Sequence, residues 1–104
     1  MDVLLRIKRL VLQGRLRITE KARHEMEFDD LDPLEVAESI VTAQSIAKTL
    51  RSKSPGRSHA SEKLYVIKGI SYQGTPIYTK GRIGREGGQE VFYVLISAKI
   101  TTPG

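Results

Sequence analysis

Residues 63–70 read KLYVIKGI, residues 71–75 SYQGT, residues 76–84 PIYTKGRIG, residues 85–89 REGGQ and residues 90–100 EVFYVLISAKI. The three longer runs are rich in β-branched and aromatic residues, and each short gap holds glycine with polar partners. That pattern predicts three consecutive strands joined by two tight turns. Side chains alternate across a strand. In the middle run Ile77, Thr79 and Ile83 therefore share one face with Gly81, and Tyr78, Lys80 and Arg82 share the other. In the last run Phe92, Val94, Ile96, Ala98 and Ile100 form an apolar face, opposite Tyr93, Ser97 and Lys99 with Val91 and Leu95 interleaved. In the first run Leu64 and Val66 point one way, Lys63 and Tyr65 the other. The expectation is a sheet with one greasy face for the fold and one face of Tyr, Lys and Arg for function.

Upstream, residues 2–13 carry Leu4, Ile7 and Val11 at helical spacing, with Val3 and Leu10 beside them. Asp2 can cap the start and Gly14 sits where a helix-terminating glycine belongs. Residues 15–19, RLRIT, read as a short extended link, with Leu16 and Ile18 pointing the same way. A second short helix follows Thr19, with Ala22 and Met26 inward. Asp32, Pro33 and Glu35 form a capping-box start for a third helix, expected to bury Leu34, Ala37, Ile40 and Val41. Residues 44–50, QSIAKTL, read as an edge strand in preference to a helical extension. Residues 51–61 read as a basic Ser/Pro/Gly loop carrying Arg51, Lys53, Arg57 and His59. Such a loop could close over a phosphate backbone, or simply be a well-solvated connection. The fold class expected is α+β in a single domain over residues 1–104. Three amino-terminal helices, about residues 2–43, pack on one face of a small antiparallel sheet of three to four strands over about residues 45–100.

The 104 residues suffice for one modest core. Without cysteine, neither disulfides nor thiolate metal sites contribute, which fits a reducing compartment. The amino-terminal apolar residues are interrupted by Arg6, Lys8 and Arg9, too often for a signal peptide or membrane span. A cytoplasmic location is expected, with no membrane partner. Charge is segregated. Residues 1–44 carry seven Lys/Arg and nine Asp/Glu, whereas residues 45–104 carry ten Lys/Arg and three Asp/Glu. A positive field confined to one surface attracts polyanions.

A face bearing Tyr65, Tyr78 and Tyr93 beside Lys48, Lys63, Lys80, Arg82 and Lys99 suits RNA: cations seek phosphates and rings stack on unpaired bases. The same groups also suit metal-free RNA cleavage, because RNA supplies its own nucleophile, the 2′-hydroxyl. The protein need only remove that proton, stabilise the phosphorane and protonate the leaving oxygen. His59 could serve as the acid. His24 with Glu27 and Asp30 matches no defined metal-ligand spacing, so neither metal nor cofactor is expected. These features by themselves do not separate an RNA-binding module from a nuclease.

The order of helix, basic-Thr link, short helix, capped helix and basic three-stranded sheet resembles a bacterial toxin family. That family is typified by the motility quorum-sensing regulator toxin, MqsR, and more broadly by the RelE-like small endoribonuclease toxins. The matching stretches are IKRLVLQGRLRIT (residues 7–19), QSIAKTLRS (44–52), IYTK (77–80) and ISAK (96–99), within about residues 4–100. The resemblance implies a metal-independent endoribonuclease that cleaves messenger RNA, the toxin half of a type II toxin–antitoxin pair silenced by a cognate antitoxin encoded nearby. It places Lys48, Tyr78 and Lys99 at catalytic positions. Arg51, Arg57, His59, Lys63, Tyr65, Lys80, Arg82 and Tyr93 are then the expected RNA-binding residues. The chain departs from the family at Glu62, where a glutamine is expected, and at Ser61, where an aromatic is expected. The alternative expectation is a noncatalytic RNA-binding or regulatory protein of the same fold.

Overall fold

The computed structural model describes residues 2–51 and 62–101. Helix α1 (Val3–Leu12) starts where the Asp2 carboxylate accepts from the Leu4 N–H. It ends in a paired closure, Gly14 N–H to the Val11 carbonyl and Arg15 N–H to the Leu10 carbonyl. That closure needs the left-handed backbone of Gly14, φ 75°. The chain then forms β1 (Leu16–Ile18), α2 (Glu20–Phe28) and α3 (Pro33–Thr42). The Thr19 hydroxyl caps α2 through the Ala22 N–H. Asp32 and Glu35 cap α3 reciprocally, with Pro33 in its first turn. Four more strands follow: β2 (Lys48–Arg51), β3 (Lys63–Ile70), β4 (Pro76–Glu86) and β5 (Gln89–Ile100).

The sheet corrects the expected architecture. It has five strands in the order β1-β5-β4-β3-β2, and it is mixed: β1 runs parallel to β5 while the other pairs are antiparallel. The expected antiparallel sheet of three to four strands, preceded by three helices with no strand among them, is therefore not what forms. RLRIT, expected as a link, is the fifth strand. Its backbone pairs with residues more than seventy positions away, with Leu16 opposite Tyr93 and Ile18 opposite Leu95. A parallel pair needs a long crossover, and here most of the chain supplies it.

The core lies on one face of the sheet. Leu4, Ile7, Leu10 and Val11 of α1 and Val36 and Ile40 of α3 meet Ile67, Ile77, Tyr93, Leu95 and Ala98 of the sheet. Ala22 and Met26 of α2 join them. Leu34, expected inside α3, is 67% exposed, while Val36 and Ser39 take the inward positions. Helix α3 sits hard against β3: a Cβ built on Gly69 would lie 1.7 Å from the Ser39 carbonyl oxygen. Helix α2 runs along the edge of β5 beyond the point where β1 stops. Its Glu25 carboxylate accepts from the Ser97 hydroxyl (2.6 Å) and the Ala98 N–H (3.1 Å), and Asp29 accepts from the Ile100 N–H (2.7 Å). Side-chain acceptors thereby satisfy strand N–H groups that would otherwise stand open at a sheet edge. Among the described residues no helix is long and apolar enough to cross a membrane.

Candidate nucleic-acid interface

Two register shifts between β4 and β5 decide which side chains face away from the helices. Lys80 pairs with Ser97 but Gly81 pairs with Leu95, so Ile96 is an extra residue on β5. Gly84 pairs with Phe92 but Arg85 pairs with Glu90, leaving Val91 extra in the same way. One inserted residue inverts the alternation beyond it. Ala98 and Ile100 point to the core side with Ile77, as expected. On the other side of Ile96, Tyr93 and Leu95 also point inward, and Phe92 and Val94 point outward.

The face opposite the core can be read as rows across the strands. One row runs Lys48, Val66, Lys80, Ser97; the next runs Lys68, Tyr78, Lys99; a third runs Arg82, Val94, Arg17. Rows stand about 7 Å apart, two residues along a strand. Arg17, Lys48, Lys68, Lys80, Arg82 and Lys99 thus share one surface, and no acidic residue occupies these rows. Glu62, just before β3, lies 3.8 Å from Arg82. Lys99 Nζ stands 5.4 Å from the centre of the Tyr78 ring, and the Arg17 guanidinium stacks 4.0 Å from that of Phe92. The rows surround apolar ground, since Val66 and Val94 are buried on this face without belonging to the core cluster.

Lys48, Tyr78, Lys80, Arg82 and Lys99 are therefore brought together on one face. Tyr65 and Tyr93, expected as stacking residues beside them, are on the other: both belong to the core cluster, and Tyr93 is 0% exposed. Gly81 makes room for the Tyr93 ring, because a Cβ there would lie 2.5 Å from Tyr93 Cζ. Burial, with the nearby Tyr65 hydroxyl second, pushes the Tyr93 phenol well above the ordinary tyrosine range. Its hydroxyl has no hydrogen-bond partner among the described residues. Lys63 and Arg51 face each other across β3 and β2 in phase with Tyr65, not with Lys48. Lys63 and Tyr65 line a cleft of about 560 Å³ at the end of the sheet, where Arg6 and Arg85 both grip Glu90 at 2.9 Å. Arg57 and His59 lie outside the described residues.

Sequence reasoning missed Arg17, Lys68 and Phe92. Arg17 is the outward residue of RLRIT, visible once that segment is read as a strand. Lys68 is in phase with Val66, a residue whose composition points to the greasy face but whose partners are Lys48 and Lys80. His24, Glu27 and Asp30 form no cluster: among the described residues no group of three or more His, Asp or Glu side chains is placed to hold a metal ion. A second cavity, of about 460 Å³, adjoins the basic face where α2 meets the end of β5, lined by His24, Glu25, Phe28, Asp29, Lys99 and Ile100. Partial burial alone would raise the Glu25 carboxyl, but the hydrogen bonds from Ser97 and Ala98, together with Lys21 and Lys99, outweigh it and hold the group below its ordinary range.

No protein-family model, curated protein or solved structure matches this chain.

Proposed function

We propose that the protein acts on single-stranded RNA at the sheet face turned away from its helices, and that it is a metal-independent endoribonuclease. The observation that carries this reading is the shared placement of Arg17, Lys48, Lys68, Lys80, Arg82 and Lys99 around Tyr78 and Phe92. Cations in rows across strands offer phosphate contacts. The two rings offer stacking surfaces, and buried Val66 and Val94 give the bases an apolar floor. The Tyr78–Lys99 pair extends the reading from binding to cleavage. Whichever of the two is deprotonated accepts the 2′-hydroxyl proton. The 2′-oxygen attacks phosphorus, and neighbouring Lys80 and Lys48 stabilise the phosphorane charge. The P–O5′ bond breaks and the departing 5′-oxygen takes up a proton from an acid or from water, leaving a 2′,3′-cyclic phosphate and a 5′-hydroxyl. On this reading messenger RNA is the substrate class. An antitoxin protein is the cognate partner implied by the resemblance to type II toxins, and the cytoplasm is the site of action.

The second reading, RNA binding without cleavage, rests on the same face and needs no proton transfer. One assay separates them. Purified protein is incubated with a long single-stranded RNA in EDTA, alone and with ribosomes, beside Lys99→Ala and Tyr78→Phe. Cleavage lost in both variants supports the nuclease. Bound but intact RNA under both conditions leaves the binding reading. Binding should be strongly salt-dependent, and Lys80→Ala should reduce the log–log salt slope by about 0.7 if it neutralises one phosphate of a single strand. Absence of RNA binding at low salt would refute both readings.

A further inference from the structure

The geometry points to the cavity between α2 and the end of β5 as the seat of the leaving nucleoside, with His24 as the proton donor to its 5′-oxygen and Phe28 as the surface on which its base stacks. The inference rests on the nuclease reading above and assigns its acid to His24 in place of His59, which lies outside the described residues. Three observations place it there. Lys99 belongs both to the Tyr78 pair and to the cavity wall, so a phosphate held at Tyr78–Lys99 has the cavity on one side. The cavity is an open, shallow groove of about 460 Å³, a size that admits a nucleoside lying against its wall. Phe28 lines it with a side chain that is 91% exposed, which leaves the ring open to stacking by a base.

His24 and Phe28 stand four residues apart on α2, one turn, and so share a side of the helix. His24 is the only imidazole among the described residues. The two carboxylates in the wall do not compete for the same role. Glu25 accepts from Ser97 and Ala98, and Asp29 accepts from Ile100, so both oxygens that make these bonds are turned to the strand edge. The step balances as follows. The 2′-oxygen forms its bond to phosphorus, the P–O5′ bond electrons pass to O5′, and the His24 imidazolium gives that oxygen its proton. Water then re-protonates the imidazole, and the 2′-hydroxyl proton held at Tyr78 or Lys99 returns to solvent.

The test uses a dinucleotide-centred RNA in two forms, one with the natural 5′-oxygen leaving group and one with a bridging 5′-sulfur, which departs without protonation. His24→Ala should slow cleavage of the oxygen substrate by about 10²–10⁴-fold, the usual contribution of a general acid, and should cleave the sulfur substrate at the wild-type rate. Phe28→Ala should raise KM several-fold. Equal slowing on both substrates would overturn His24 as the donor. Wild-type rates on both would overturn it as well, leaving the nuclease reading intact. An unchanged KM in Phe28→Ala would overturn the stacking role. If the wild-type protein cuts neither substrate, with or without ribosomes, the nuclease reading fails and this inference fails with it.

Discussion

Tyr93→Phe should make the protein more stable and leave its RNA affinity unchanged. The tyrosine ring is fully buried under Gly81, and its hydroxyl has no hydrogen-bond partner among the described residues. An unpaired buried hydroxyl costs about 1–3 kcal/mol. Phenylalanine keeps the ring and removes only the oxygen. The gap left is about 10–15 Å³, costing about 0.3 kcal/mol at 24 cal/mol per Å³. The net expectation is a gain of about 1 kcal/mol, a rise in Tm of about 4–8 °C for a domain of this size. A second signature lies at alkaline pH. The folded phenol titrates above the ordinary 10.0 because burial opposes its ionisation. Above that pH the unfolded chain therefore releases a proton that the folded chain keeps. Stability is then full below pH 10.0 and falls as pH rises, by up to about 1.4 kcal/mol per unit from this group. Tyr93→Phe removes that increment, so its advantage should grow between pH 10 and pH 11. Urea unfolding followed by circular dichroism at pH 7 and at the alkaline end measures both. A variant less stable than wild type at pH 7 would refute the unpaired hydroxyl. A folded variant with several-fold weaker RNA binding would put Tyr93 back on the RNA face.

Two further changes probe the frame. Gly69→Ala must push a methyl group into the Ser39 carbonyl of α3 and should destabilise by about 3 kcal/mol, the upper end of the usual overpacking cost, read as a lower urea midpoint; a loss under 1 kcal/mol would mean that α3 does not sit against β3 as described. Glu25→Gln replaces a carboxylate held below the ordinary 4.5 by its bonds to β5. That carboxylate contributes stability present above pH 4.5 and lost as pH falls through its folded value. The variant should lose about 1 kcal/mol at pH 7 and converge on wild type as pH falls through the carboxylate's folded value, below 4.5; parallel stability curves for the two proteins across that range would contradict the assignment.

The strands β3, β4 and β5 were legible because their turns are written locally, in SYQGT and REGGQ, and because β4 alternates without interruption from Ile77 to Arg82. The capping box at Asp32 and the closure at Gly14 were legible for the same reason: each is set by residues within one turn of the other. β1 was not. Three residues cannot announce a strand when their only partner is a backbone more than seventy positions away. The bulge at Ile96 was also invisible, since it exists only in the register between two strands. Missing it sent Tyr93 to the RNA face and Val94 to the core. Tyr65 and Val66 were exchanged on composition: a tyrosine reads as functional and a valine as structural, yet the core has room for a large ring and the basic face has an apolar floor. The basic surface itself survives these exchanges because Tyr78, Lys80, Arg82 and Lys99 stand in parts of the chain where the alternation holds.

The extra residue at Ile96 acts on β5 as an inserted base acts on a reading frame. Counted by twos from Tyr93, the strand would deliver Leu95, Ser97 and Lys99 to the core, and the lysine would be driven in among the aliphatic side chains beside Ile77. The insertion resets the count, so that upstream residues are spelled for the core in one frame and downstream residues in the other. Lys99 reaches Tyr78 only because of that reset. Deleting Ile96 would keep every face, because Leu95 and Ser97 would become neighbours in plain alternation; ironing out the bulge with Ile96 still present would instead turn Ser97 and Lys99 to the core and Ala98 and Ile100 away from it, and the fold and the candidate site would be lost in the same event.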